Sequence, residues 1–371
     1  MKIAINLFGF SKSKVNGIKK VATNLILHIL KSTKKEQFFL LGEKDLDPVL
    51  KVPYENVKLI LIPLPSFLKK PSIQRVIFKQ IYFLFLRFCY KIDIFFTPSL
   101  GGPLFCKNSI EIIHDCSTFP KDFENNFLRK LYHNFLISNA KYFDRKIITV
   151  SNFSKKELIE KFKVNPQKIE IIYPGVPSIP KIDRKFIQNT LKKFKINKPY
   201  FYTIGNESSR KNIQNIVGAF ELVKKYGLDY YLVITGIKNK NFLKTREKVR
   251  KAIILTGKIS EKEKYSLYKR AQVFLFPSFY EGFGMPILEA QSVGIPVLTS
   301  TTSVLPEVAG KGALFCNPHD IREIAQGMER LANDENLRRE LIIKGYDNIK
   351  RFSWERSAQK LIKFFSFKIG K

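Results

Sequence analysis

Short apolar runs and longer stretches with helical spacing alternate along almost the whole chain. Residues 3–8, 38–41, 57–62, 92–97, 110–113, 146–150 and 169–172 read as strands, with helical segments between them. Strands that alternate with helices predict an α/β domain built on a mostly parallel sheet. Pro174, Pro177 and Pro180 mark the passage to a second α/β domain, which opens at Pro199 and Tyr200 with strands at 200–204, 230–235, 253–256, 273–276 and 296–299. The predicted domains are 1–178 and 179–354, and 371 residues suffice for two separate cores. No internal repeat or low-complexity tract is evident.

Two of the predicted strand-to-helix turns carry chemistry. After the run Val273-Phe274-Leu275-Phe276 comes Glu281-Gly282-Phe283-Gly284-Met285-Pro286, and a second acid, Glu289, follows eight positions after the first. Gly282 and Gly284 permit unusual backbone angles, and Pro286 suits the first turn of a helix that ends near Gly294. The free N–H groups and positive end of such a helix favour a phosphate in the crevice at the strand's carboxyl end. Carboxylates repel phosphate, so Glu281 and Glu289 fit there as acceptors for hydroxyls on either side of it, which a sugar diphosphate of a nucleoside supplies. The alternative is that Glu289 complements a helix N-terminus and Glu281 is a solvated loop residue. The second turn follows the strand 200–204: a polar loop, Gly205 to Asn212, ends in Arg210-Lys211 before a helix that begins at Ile213. Two fixed cations there would balance a departing diphosphate without a metal ion, although a Lys-Arg pair taken singly is more often solvated surface.

Composition narrows the field. The formal net charge is +33, with 65 Lys and Arg against 32 Asp and Glu, and 44% of residues are hydrophobic. Such a surplus asks for an anionic partner. Residues 67–91 interleave Lys69, Lys70, Arg75, Lys79, Arg87 and Lys91 with Phe78, Ile81, Tyr82, Phe83, Leu84, Phe85, Leu86 and Phe88, which makes a basic, aromatic, helical segment. It suits the headgroup region of an anionic membrane; the alternative is a core helix between two strands. Nucleic acid is not expected, because the basic residues are spread along the chain and no nucleic-acid-binding signature occurs. Cys89, Cys106, Cys116 and Cys316 have no metal or disulfide spacing and read as reduced core thiols of a cytosolic protein. His28, His114, His133 and His319 are scattered, so no metal site is expected, and Asp45-Leu46-Asp47 reads as surface. No secretory signal or membrane-spanning apolar run is found.

These motifs, with Ile113-His114-Asp115, Val150-Ser151-Asn152-Phe153-Ser154, Tyr173-Pro174-Gly175-Val176, Asn16-Gly17-Ile18 and Leu305-Pro306-Glu307-Val308-Ala309-Gly310, resemble those of the retaining glycosyltransferases of family four over nearly the whole chain. The branch that includes mannosyltransferases of bacterial surface-polysaccharide assembly is the most similar. The resemblance implies a GT-B fold: two Rossmann-like doubly wound domains facing each other across a cleft, with a last helix, 355–371, crossing back to the N-terminal domain. It implies a donor that is a GDP- or UDP-linked sugar, a glycan or lipid-linked acceptor, and no cofactor or metal. Glu289 would bind the ribose hydroxyls, Glu281 would lie beside the donor sugar, and the backbone of Phe283 and Gly284 near the phosphates. Lys211, with Arg210, would hold the diphosphate; His114 would touch the donor sugar, and Gly17 would close on the phosphates. Many relatives place Arg where this chain has Asn206, a charge that Arg210 would supply. A nucleotide-sugar epimerase, a phosphorylase-like enzyme or a nonenzymatic polyanion-binding protein are the alternatives. The expected location is cytoplasmic, with a peripheral position on the inner face of the cell membrane if the 67–91 segment binds lipid.

Overall fold

The computed structural model describes residues 1–10, 17–62, 73–116, 127–143 and 146–366. Two compact units divide at Gly175/Val176, and the chain returns to the first unit at Ser353. The first unit carries β1 (Lys2–Asn6), α1 (Gly17–Ser32), β2 (Gln37–Glu43), β3 (Val57–Ile62), α2 (Ile73–Tyr90), β4 (Ile94–Thr97), β5 (Ser109–Ile113), α3 (Phe127–Phe143), β6 (Lys146–Thr149), α4 (Asn152–Phe162) and β7 (Ile169–Ile171). Its strands form one parallel sheet in the order β3-β2-β1-β4-β5-β6-β7. The second unit carries α5 (Arg184–Lys193), β8 (Tyr200–Ile204), α6 (Ile213–Lys225), β9 (Tyr231–Thr235), α7 (Glu247–Arg250), β10 (Ile253–Gly257), α8 (Glu261–Arg270), β11 (Val273–Phe276), α9 (Met285–Ser292), β12 (Val297–Ser300), α10 (Leu305–Ala309), β13 (Leu314–Cys316), α11 (Ile321–Asn333) and α12 (Glu335–Ile349). Its parallel sheet runs β10-β9-β8-β11-β12-β13.

Each sheet has one place where chain order reverses: between β1 and β4 in the first unit, between β8 and β11 in the second. A crevice opens outside the strand carboxyl ends at such a point, because the helices that follow leave to opposite faces. The two turns singled out from sequence leave β8 and β11, so both flank the second reversal. In the first unit, β1 leads towards α1, whose first residue is Gly17, and β5 leads to His114.

Local corrections have local causes. β1 stops at Asn6, short of Phe8, because the Asn6 side chain turns the chain by accepting the Phe8 N–H (3.2 Å). β4 starts at Ile94, two residues later than the apolar run, because α2 ends at Tyr90 and Lys91 takes a left-handed conformation with φ 52°. β13 (Leu314–Cys316), on the sheet edge, is not among the strands read from the sequence. Cys89 is exposed on α2, whereas Cys106, Cys116 and Cys316 are buried. Asp47 is not idle surface: it accepts from Val49 N–H at a helical turn and pairs at 2.9 Å with the buried Lys19 of α1. Of the two glycines before α9, only Gly284 has positive φ (95°).

The cores are those of the sheets' two faces. α6 and α11 bury Ile216, Phe220, Ile324 and Met328 against Phe201, Leu275 and Leu298. In the first unit α2 buries Phe83 and Leu86 against Phe39 and Phe95. Its opposite stripe, Ile77, Ile81, Leu84, Phe85 and Phe88, lies in solvent, with Phe88 77% exposed. The core-helix reading therefore holds for one face of α2 only, and the other face is exposed; residues 67–72 lie outside the described part. The last helix, α13 (Trp354–Ser366), belongs to the first unit and packs on α1: Trp354 stacks on His28 with ring centroids 6.2 Å apart, and Phe365 meets Phe96 edge-on. Gly175 permits this docking, since a Cβ there would lie 2.4 Å from both Cγ and the backbone N of Trp354.

Candidate functional site

The loop after β8 is folded by its own polar groups and then fastened to the loop after β11. Asn206, exposed, accepts the Ser208 N–H, and a single tight turn (Ser209–Lys211) follows. Asn212 ends it in the left-handed region, φ 57°, which asparagine tolerates better than most residues. The buried Asn212 amide donates to the carbonyls of Pro277 (2.8 Å) and Pro318 (2.7 Å), and Phe279 N–H donates to the Arg210 carbonyl (2.9 Å). The two loops are thus one structure, and the sequence motif Arg210-Lys211-Asn212 is two cations followed by the residue that fixes them.

Both cations meet Glu281. Lys211 Nζ lies 2.6 Å from Oε1 and Arg210 Nη1 2.9 Å from Oε2, while Lys211 also sits over the Phe276 ring at 5.0 Å. Glu281 is 6% exposed, which removes the solvated-loop alternative. Burial pushes its carboxyl up, yet the charges of Lys211 and Arg210 and the Lys211 hydrogen bond outweigh that, and the group stays below the ordinary glutamate value. Its backbone is fixed as well: Glu281 N–H donates to Ser303 Oγ (3.2 Å). Thr299, Ser300 and Thr302, all after or at the end of β12, donate hydroxyls to the carbonyls of Phe276, Ser278 and Phe279. This hydroxyl run, Thr299 to Ser303, holds the acidic loop from outside, and sequence reading missed it.

Gly284 is required twice over at the head of α9. Its φ is positive, and a Cβ would stand 2.9 Å from Leu305 Cδ2. Pro286 lies in the first turn and no side chain caps the N-terminus. Phe283 turns its ring into the core, edge-on to Phe352 (5.8 Å), and so offers a ligand only its backbone. Glu289 is 5% exposed in the second turn of α9, too deep for a helix-end complement. Its Oε1 accepts from Lys264 Nζ (2.7 Å) and its Oε2 from Tyr268 OH (3.2 Å), both on α8. Lys264 was not singled out from sequence; one lysine among Lys262, Lys264 and Lys269 carries no mark of its partner.

The remaining two candidates lie in the first unit. His114 is buried just after β5, and its Nε2 is 2.9 Å from the Pro98 carbonyl. A carbonyl only accepts, so Nε2 carries the proton and Nδ1 is the lone-pair nitrogen. Burial pushes its pKa down, against the Pro98 bond and Asp115, which favours the neutral ring. Three residues earlier Glu111 accepts the N–H groups of Gly101 (3.2 Å) and Gly102 (2.9 Å), so β5 clamps the loop after β4 at two points; burial raises the Glu111 carboxyl to about 7. Gly17 is exposed, and nothing stands within 4 Å of where its Cβ would be. The structure therefore unites Arg210, Lys211 and Glu281 in one cluster and joins Phe283, Gly284 and Glu289 to it through the β11–α9 connection. Among the described residues no group of three or more His, Cys, Asp or Glu is placed to hold a metal ion, and no helix is long and apolar enough to cross a membrane.

Comparison with known proteins covers both units. A family model described as Glycosyltransferase Family 4 matches residues 15–178, and one described as Glycosyl transferases group 1 matches residues 186–348. The O-antigen chain mannosyltransferase B of Escherichia coli is 31% identical over 288 residues, 74% of either chain. The serotype-specific mannosyltransferase WbdA of Escherichia coli is 27% identical over 63% of this chain, which corresponds to 30% of the length of WbdA. Among solved structures, Anabaena HepE in complex with UDP-glucose aligns over 99% of both chains with a TM-score of 0.73 at 14% identity. The two parallel-sheet α/β units are those of the GT-B fold.

Proposed function

Since the chain belongs to glycosyltransferase family 4, we propose that it moves a hexose, with retention of configuration, from a nucleotide-diphosphate sugar to a glycan or lipid-linked acceptor in surface-polysaccharide assembly. Mannose is the hexose the O-antigen relatives favour, and GDP or UDP its carrier. The observation that carries the reading is the Arg210–Lys211–Glu281 cluster at the chain reversal of the second sheet. There the bond from C1 of the sugar to the diphosphate breaks, and Arg210, Lys211 and the N-terminus of α9 at Phe283 and Gly284 take up the negative charge that develops. No metal is needed for that neutralisation. The acceptor oxygen bonds to C1 from the face the diphosphate leaves, and its proton passes to a leaving phosphate oxygen. Glu281, already engaged with two cations, accepts hydrogen bonds from the donor sugar and is not the nucleophile. Glu289 accepts the ribose hydroxyls. Neutral His114 presents Nδ1 as an acceptor for a sugar hydroxyl, and Gly17, heading α1 without a side chain, leaves room for a phosphate oxygen.

The same reading includes a surface. The solvent-facing stripe of α2, flanked by Arg87 and Lys91, suits peripheral binding to an anionic bilayer on the cytoplasmic face, which would bring the protein to a lipid-linked acceptor. An apolar groove of about 280 Å³ between Phe83, Leu84, Arg87 and Phe105 adjoins that stripe.

Thermal-shift titration with UDP, GDP and dTDP, followed by assay of the matching nucleotide sugars, tests the donor reading. One nucleoside diphosphate should raise the melting temperature by mass action, and its release from the sugar nucleotide should depend on added acceptor. No shift with any of them, or donor turnover that ignores the acceptor, would overturn it.

A further inference from the structure

Glu289 is held by a pair of donors rather than by the helix that carries it. Lys264 Nζ reaches Oε1 at 2.7 Å and Tyr268 OH, whose single proton also faces the Pro286 carbonyl at 3.3 Å, reaches Oε2 at 3.2 Å, so Lys264 is the firmer anchor and each carboxylate oxygen keeps capacity for another donor. Both anchors come from α8, where positions 264 and 268 share a face at one turn's separation. Lys264 and Tyr268 are themselves buried, at 8% and 0% exposure, and the Lys264 ammonium lies over the Tyr265 ring at 4.9 Å. A carboxylate buried without fixed partners carries an uncompensated desolvation cost and has nothing to set its orientation. A vicinal diol needs the opposite: two acceptors, side by side, at fixed spacing. Lys264 also pairs with Glu261 at 2.9 Å, but Glu261 is half exposed and adds little to holding it.

We infer that Lys264, with Tyr268, is a positioning residue for the nucleotide: it holds Glu289 aimed so that both of its oxygens read the two ribose hydroxyls. The inference rests on the reading of Glu289 as the ribose contact given above. It assigns ribose selectivity to α8, an element separate from the acidic motif, and makes Lys264 act through Glu289 rather than by touching the ligand.

The test compares UDP and GDP with their 2′,3′-dideoxy forms by calorimetric titration of the full chain. Wild type should prefer the ribonucleotide, and Glu289→Gln should abolish the preference. Lys264→Met should reduce that preference by about tenfold, the scale on which loss of a supporting partner weakens a site, while binding of the dideoxy form stays near wild type. Lys264→Arg should restore most of it, and Tyr268→Phe should show a smaller loss of the same kind, which keeps the test open if Lys264→Met does not fold. A wild type that binds neither nucleotide, or fails to discriminate ribose from dideoxyribose, would remove the ribose reading itself. Discrimination lost in Glu289→Gln but intact in Lys264→Met or, should that variant not fold, in Tyr268→Phe would leave that reading standing and overturn the role given to α8.

Discussion

Lys211 and Arg210 share one carboxylate, and the sharing decides what each is worth. A buried acid with two cations tolerates the loss of one better than a simple pair would, yet the 2.6 Å Lys211 bond is the shorter of the two. Lys211→Ala should lower turnover of the donor sugar about 10²-fold, the scale for removing one preorganised charge contact, with the fold retained because Arg210 still pairs Glu281. Steady-state kinetics beside a melting curve would check both halves. At this scale the sequence was legible wherever residue type alone limits the chemistry. Glu281, Glu289, Arg210 and Lys211 stood out because two acids and two cations beside glycine-bearing turns have few other uses. Lys264, Ser303 and Thr302 did not, because their partners are distant in sequence and their types are common. Asn206 shows the same limit: its sequence position does not reveal that its side chain accepts the Ser208 N–H and so closes the loop.

Elements were read more easily than their ends. β3, β8 and β11 have the bounds expected from their apolar runs; β8 and β11 are buried almost throughout, while β3, on the sheet edge, kept its pattern despite Lys58. Ends shifted where one side chain intervened, as at Asn6, and β13 was not read from the sequence although β7, equally short and also on an edge, was. The docking of α13 turns on a single glycine. Gly175→Ala places a methyl group 2.4 Å from Trp354, which must move together with its backbone, and overpacking of this kind costs about 1–3 kcal/mol. Trp354 is the only tryptophan of the chain, so its fluorescence in a urea titration reports this joint directly. The variant should unfold at lower urea; an unchanged midpoint would show that α13 docks without the close approach.

At the scale of the whole molecule the surplus of cations is the property to test. If the α2 stripe inserts into lipid, the protein should sediment with phosphatidylglycerol vesicles and less with phosphatidylcholine, and rising salt should weaken the binding as screening sets in. Replacing Phe85 and Phe88 together by Asp should abolish sedimentation and spare transfer to a water-soluble acceptor; unchanged sedimentation would place the lipid contact elsewhere. The division of the chain into two α/β units was legible from alternation alone. What alternation cannot convey is which of 65 basic residues already have a counter-ion of their own. Glu281 and Glu289 spend two of the chain's scarce acids on three of its cations. Arg210, Lys211 and Lys264 are each matched by a buried carboxylate before a ligand arrives, so a bare polyanion finds these three already partly neutralised, while a nucleotide sugar brings hydroxyls for the acids as well as phosphate for the cations. The two acids thus act as a filter on the binding charge, turning bare anions away while leaving the cations useful to a ligand that also carries hydroxyl groups.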